Sequence, residues 1–311
     1  MTEKRNLVID VHCHASGVEV QDIVDEYDKI FIYGMSHRDN LLLMDAVGVD
    51  VQVIQCGARQ GTAYRNIHQY TRRVMREHPD RFLSIVKGDE RKMGTDEFLE
   101  QIREYIEDWG FKGWWLAPWS KEDLEGYGLS INDFPHPNPL THFDHEKYDP
   151  VWEMVESLRV PAAITSHPQN FETMGHNLLN VLDKHPDLIV QIVHGIDPPS
   201  CLMSDGSVAI PESMISAVKN YNVYLELLPG LDGMTASPNR YGPNDEVIKA
   251  FYDTFGPSRL MWGSEFTSVW LPTVNQYRYQ FEYLKNHCEY MTDEDLALIM
   301  GGNAMRIYGL Q

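Results

Sequence analysis

Eight short β-rich runs recur along this chain, each followed by a segment with helical periodicity, and that alternation constrains the fold more than any other feature. The runs are Leu7 to Val11, Val51 to Gln55, Phe82 to Val86, Lys112 to Leu116, Pro161 to Thr165, Leu188 to Val193, Asn222 to Leu228 and Arg259 to Trp262. Helical periodicity follows around Arg38 to Ala46, Ala63 to Glu77, Asp96 to Asp108, Pro150 to Leu158, His176 to Lys184, Pro211 to Lys219, Asn244 to Phe255 and Leu271 to His287. Eight such pairs in 311 residues predict an α/β chain folded as one (β/α)8 TIM barrel over 1–311. An open doubly wound sheet fits less well, since no GxGxxG follows the first run.

Local signals agree. Thr95 stands three residues before Phe98 as a helix cap, and Thr292 precedes Asp293, Glu294 and Asp295, acids placed where a helix start favours negative charge. The stretch from Thr292 to Tyr308 reads as one or two extra helices closing the barrel. The irregular part is about 117–147, rich in Pro, Gly, His and Asp. It follows the fourth strand, so it reads as a lid over the catalytic face, with a surface insertion as the alternative.

Lys and Arg total 26 against 46 Asp and Glu, a formal charge of −20 that repels polyphosphates and anionic membranes. Nucleic acid is therefore not expected as a partner. An anionic small molecule still is, because a bound cation reverses the potential locally. Cys13, Cys56, Cys201 and Cys288 fit no zinc-ribbon spacing and read as reduced thiols, and the stretch MTEKRNLVIDVH has no apolar signal core. No apolar run approaches the ~18 residues of a membrane span. A cytoplasmic protein is expected.

In a barrel the C-terminal strand ends converge, so polar residues there are placed for chemistry. His12 and His14 are one residue apart on the first strand; period-two alternation turns both imidazoles into the mouth and Cys13 outward. By itself such a pair fits a structural role equally well. His167 ends the apolar run Ala162 to Thr165, His194 follows Ile189 to Val193, and Glu265 lies just past the eighth strand. Each alone has an ordinary explanation as a satisfied buried group. Histidines and a carboxylate at the ends of strands one, five and eight together match the nitrogen and oxygen ligands of one divalent ion.

Weaker signals lie on the same face. Glu226, a carboxylate in a buried strand, either orients a metal-ligating histidine or belongs to a plain ion pair. Trp115 and Trp119 are candidate walls of a substrate pocket, while alternation sends Trp114 to the opposite face, into the core. Arg38 and Arg59 are candidates to pair with a substrate carboxylate, with surface ion pairs as the alternative. His136, His142, Asp144 and His145 raise the question of extra metal contacts, against a solvated loop, since no strand fixes their geometry.

The blocks Asp10-Val11-His12-Cys13-His14, Ser166-His167, Val193-His194-Gly195 and Met261-Trp262-Gly263-Ser264-Glu265, with the tail Gly302 to Tyr308, resemble the amidohydrolase-related family almost end to end. This is the branch of the amidohydrolase superfamily that contains aminocarboxymuconate semialdehyde decarboxylase and related hydrolases. The resemblance implies a (β/α)8 barrel with one divalent ion, zinc first and manganese or iron as alternatives, held by His12, His14, His167 and Glu265. It puts His194 where the family keeps the histidine that polarises water or substrate. One departure stands out: the family has Asp where this chain has Glu265, one methylene longer, a reach of about 1.5 Å.

The implied activity is non-oxidative, metal-dependent decarboxylation of a small carboxylic acid, with His194 or Glu265 delivering the proton. The same residues serve the alternative, hydrolysis of a lactone, amide or ester, in which Glu265 shuttles the proton and His194 stabilises the oxyanion. A further alternative is a two-metal oxygenase, should Glu265 and the loop histidines gather a second ion, and a non-enzymatic scaffold is the last. A homodimer is expected from related enzymes.

Overall fold

The computed structural model describes residues 6–15, 36–55, 64–117, 130–139, 141–165, 171–194, 207–229, 245–266 and 274–310. All eight expected runs are strands, paired in parallel in chain order: β1 (Ile9–Cys13), β2 (Val51–Gln55), β3 (Phe82–Lys87), β4 (Trp114–Leu116), β5 (Ala162–Thr165), β6 (Ile189–Val193), β7 (Asn222–Leu227) and β8 (Leu260–Trp262). The ring closes just past β8, where Cys13 bridges Phe266 and the His14 amide donates to the Phe266 carbonyl at 2.9 Å. This is the (β/α)8 barrel.

Between and after the strands lie α1 (His37–Val47), α2 (Tyr64–Glu77), α3 (Asp96–Glu107), α4 (Asp149–Leu158), α5 (Phe171–Leu182), α6 (Glu212–Asn220), α7 (Asp245–Phe255) and α8 (Val274–His287). Boundaries differ from the periodicity by a few residues. The largest difference is α5, which begins at Phe171 instead of His176. Gly175 obscures its first turn in sequence, since glycine costs a helix about 1 kcal/mol. Packing requires it nonetheless: a Cβ there would sit 2.4 Å from Ser213 Oγ on α6.

The strands are buried on both faces, as parallel strands sheathed in helices must be. Alternation sorts their side chains into two cores. Val11, Val53, Ile85, Trp115, Ala163 and Met261 fill the barrel, whereas Ile54, Val86, Trp114, Ile164, Leu225 and Trp262 pack outward against the helices. Trp114 meets Trp152 of α4 edge to face, with ring centroids 5.4 Å apart.

The last segment closes the N-terminal end of the barrel. Thr292 caps α9 (Asp293–Ala297) reciprocally with Asp295, a π turn follows over Leu298–Gly302, and α10 (Asn303–Ile307) ends the fold. Asn303 donates to the carbonyls of Pro257 and Leu260, both at 2.8 Å, where β8 begins. Ala304, Ile307 and Tyr308 join the barrel core, and the Tyr308 hydroxyl donates to Gln191.

Of the irregular stretch, 117, 130–139 and 141–147 are described. Trp152 Nε1 donates to the Phe143 carbonyl and Asn177 to the Thr141 carbonyl, both at 2.8 Å, fastening the stretch to α4 and α5. Asp144 accepts from Asn180 of α5 at 2.8 Å. Among the described residues no helix is long and apolar enough to cross a membrane.

Candidate metal centre

β1 delivers His12 and His14 to the mouth, 1 % and 4 % exposed, with their Nε2 atoms 3.2 Å apart. Cys13 points outward, its thiol 3.5 Å from the Val53 carbonyl, as alternation predicts. The other ring nitrogen of each histidine is occupied. His14 Nδ1 lies 3.2 Å from the Gln55 carbonyl, and His12 Nδ1 lies 2.8 Å from Glu226 Oε1. A carbonyl only accepts, so His14 Nδ1 carries the proton of the neutral ring and Nε2 carries a lone pair. Burial raises Glu226 well above the usual carboxylate range; in its ionised form it imposes the same tautomer on His12.

Glu226 is fully buried in β7, and its second oxygen accepts the His194 amide at 3.1 Å. Glu226 thus holds a histidine from β1 and the backbone just past β6 together. The His194 ring stacks on His12 at 5.0 Å with 15° between planes, and its Nε2 stands 3.8 Å from Glu265 Oε2. His194 and Glu265 both take the left-handed backbone, at φ 56° and 52°. Side chains other than glycine rarely adopt it, and such strain collects at functional sites.

Burial holds His12 and His14 down to about 3, with His12 adding to the depression of His14, so both rings are neutral and their lone pairs available. Burial, and then the charge of Glu226, pushes Glu265 up to about 8. Ligand atoms of His12, His194 and Glu265 fall within 4.8 Å of one another. Two facing imidazole lone pairs need a shared proton or a cation between them. With the Glu265 oxygen and the His194 ring beside His12, these nitrogen and oxygen donors fit a divalent ion of the zinc or manganese type.

Beneath these side chains lies a polar network that sequence reasoning did not single out. Asp10 is fully buried and accepts from the Ser264 hydroxyl at 2.6 Å, from the Ser264 amide and Tyr277 hydroxyl at 3.0 Å, and from the His12 amide at 3.2 Å. Burial raises it to about 7 against the pull of these donors. Gln52 donates to Tyr277 at 2.9 Å, and the Asn40 amide of α1 donates to Gln52 at 3.2 Å and to the His14 carbonyl at 3.1 Å. Asp10 and Ser264 sit inside the very motifs that carry the histidines and Glu265. Their polarity on buried strand ends was the available signal.

Lys87 was missed as well, although it ends β3 by the same rule that selected the histidines. It is fully buried, with Nζ 4.5 Å above the Trp115 ring and 3.6 Å from Glu90 Oε1. Burial raises Glu90 to about 7 while Lys87 opposes the shift. Trp115 faces the barrel interior, and its indole nitrogen donates to Thr165 Oγ1 at 2.7 Å. The side-chain amide of Gln55 on β2 is buried and has no hydrogen-bond partner among the described residues.

The structure therefore brings ligand atoms of His12, His194 and Glu265 together, with His14 beside His12. Arg38 is exposed on the first turn of α1. His167, Arg59 and Trp119 lie outside the described residues. His136, His142, Asp144 and His145 belong to neither convergence of ligand atoms found among the described residues.

The amidohydrolase family's sequence profile matches residues 9–310. No curated protein sequence matches the chain. Among solved structures it is similar to a probable 2-pyrone-4,6-dicarboxylic acid hydrolase from Acinetobacter baumannii with citric acid bound, at 16 % identity and TM-score 0.66 over 98 % of this chain and 100 % of that one. A dihydroxybenzoic acid decarboxylase from a Polaromonas species, with bound manganese and the inhibitor 2-nitroresorcinol, is similar at 14 % identity and TM-score 0.64 over 98 % of each chain. An amidohydrolase from Burkholderia multivorans with bound zinc is similar at 14 % identity and TM-score 0.67 over 98 % of this chain and 100 % of that one. At such identities the likeness is one of fold.

Proposed function

The chain belongs to the amidohydrolase family of enzymes, and from that premise we propose that it is a metal-dependent, non-oxidative decarboxylase of a small carboxylic acid. One observation carries the reading: His12 and His14 face each other through Nε2 at 3.2 Å while each Nδ1 is held by an acceptor. His12, His14 and Glu265 would hold the ion, with His167 added by its motif position. When bound, a divalent ion supplies positive charge to the substrate's oxygens.

The chain's own groups do the rest. His194 is 32 % exposed, the most open member of the cluster and the one substrate can reach. Glu226 holds its backbone and the stack on His12 fixes its ring, so its proton is aimed into the mouth. The carbon–carbon bond to the carboxylate breaks, carbon dioxide leaves, and the electron pair left on carbon takes the proton from His194. No oxidant enters the balance. Trp115 and Lys87 give that mouth an aromatic face and a cation, which suit an unsaturated or aromatic acid. Arg38, Arg59 and Trp119 remain proposals for substrate contact at its edge. A cytoplasmic homodimer goes with the reading as a proposal.

A panel of aromatic and unsaturated carboxylates and of lactones, assayed for carbon dioxide release and for acid release, tests the proposal. Carbon dioxide from a carboxylate, lost in His194→Asn, is expected. Ring opening of lactones with no carbon dioxide from any acid would replace it with the hydrolase reading, which uses the same side chains.

A further inference from the structure

A second convergence of ligand atoms lies in the helical layer, away from the strand ends. His37 opens α1, Glu77 ends α2 and His78 follows it. One nitrogen from each imidazole and one oxygen of Glu77 all lie within 4.8 Å of one another. His37 is 7 % exposed, Glu77 is open to solvent and His78 is half-buried.

The His37 ring is held in one orientation. Its Nδ1 lies 2.9 Å from the Tyr70 hydroxyl, which also accepts the His37 amide at 3.0 Å. A phenol can accept a proton from Nδ1 or donate its own to it; where it accepts, the neutral ring presents its lone pair at Nε2, the tautomer that a bound cation selects. That Nε2 is buried and makes no hydrogen bond among the described residues. It looks toward Glu77 Oε2 at 4.0 Å, and the His78 ring stands 5.7 Å away, centroid to centroid. The other Glu77 oxygen faces Arg73 Nε at 3.9 Å. Buried polar atoms are nearly always satisfied, and these three side chains do not satisfy one another.

We propose that His37, Glu77 and His78 form a second divalent-cation site, with two imidazole nitrogens, one carboxylate oxygen and a fourth position open to water. That donor set favours zinc and its late first-row neighbours over magnesium or calcium, which take oxygen throughout. Tyr70 holds the non-ligating nitrogen, the arrangement that fixes ring and tautomer in histidine metal sites. The guanidinium groups of Arg38 and Arg73 add positive potential around His37. The site therefore selects an ion that forms directed bonds to imidazole over one attracted by charge alone. Its role is a staple between the first two βα units. The helix it fastens also carries Asn40, one turn on, whose amide holds the His14 carbonyl.

Equilibrium dialysis of the chelator-stripped protein against zinc, followed by metal analysis, tests the site by difference, whatever number of ions the strand ends hold. Glu77→Gln and His78→Ala should each bind one zinc fewer than the wild type at zinc just sufficient to saturate it. Tyr70→Phe should keep the count at higher zinc but weaken that ion about 10- to 100-fold. Because Glu77 is open to solvent, Glu77→Gln leaves the fold in place, which circular dichroism checks. Equal zinc content in the wild type and both ligand variants overturns the site. So does a Glu77→Gln/His78→Ala double variant whose thermal midpoint rises with zinc as much as the wild type's.

Discussion

Gly263 lies directly against Glu226: a Cβ at Gly263 would stand 2.1 Å from Glu226 Oε1, the oxygen that holds His12. No side chain fits there while Glu226 keeps its place, and the contact is with the far end of that side chain. Gly263→Ala should therefore push the carboxylate off His12 instead of unfolding the barrel. We expect a cost of about 1–3 kcal/mol from overpacking and a loss of metal affinity of roughly 10- to 100-fold. Urea unfolding and zinc titration of the same preparation check both.

Glu226→Gln tests the same link without changing volume. An amide facing His12 Nδ1 no longer imposes the tautomer that leaves a lone pair on Nε2. The variant should fold, keep its helical content and bind the central ion about 10- to 100-fold more weakly. Unchanged affinity would show that Glu226 only fills its cavity.

Metal removal should abolish turnover, and zinc or manganese should restore it. On the proposed ligands the ion would tie β1 to the chain past β8, so saturation at about 100 times the dissociation constant should stabilise the fold by about 2.7 kcal/mol. His12→Ala should lower the metal content by one equivalent. Activity that needs two equivalents of iron or manganese at the strand ends would favour the oxygenase chemistry instead.

The buried pair at the end of β3 makes a sharper stability prediction. Lys87→Met leaves Glu90 buried without its cation and should cost about 3–5 kcal/mol, whereas Lys87→Met/Glu90→Leu should recover most of that loss. If Lys87 also receives the substrate's charge, the double variant should fold and yet show a raised KM. Equilibrium unfolding and steady-state kinetics separate the two roles.

His68 gives a pH dependence with a definite sign. It is fully buried, with ring centroids 4.9 Å from Tyr105 and 5.3 Å from Phe111, and burial lowers it from 6.5 to about 4. Between those values the unfolded chain binds the proton that the folded chain refuses. Its contribution is thus whole above pH 6.5 and is lost as the pH falls toward 4, on the order of 3 kcal/mol in all. His68→Gln removes this share, so the stability gap between wild type and variant should narrow from pH 7 to pH 5. A gap that stays constant would place the acid sensitivity elsewhere.

The succession of strands was readable because a parallel strand sheathed in helices must be apolar on both faces. Phe82 to Val86 or Ile189 to Val193 can be little else. The placement of His12, His14, His194 and Glu265 at the barrel mouth was readable for a related reason, since a polar residue that ends such a run has only that mouth to enter. The same rule applied to Lys87, which was overlooked because lysine is so often a solvated end. Asp10, Ser264, Tyr277, Gln52 and Asn40 were not legible as a network. Their partners lie up to 267 positions away, and no periodicity links residues on different elements.

Residue order by itself determined the class of fold and the types of side chain presented at the C-terminal strand ends, because alternation and apolarity are local properties. Only the tertiary structure decided which carboxylate holds which histidine, that Gly263 yields its space to Glu226, and that His37 faces Glu77 and His78 across two helices. Those are distances between segments, set by how the helices pack around the closed ring.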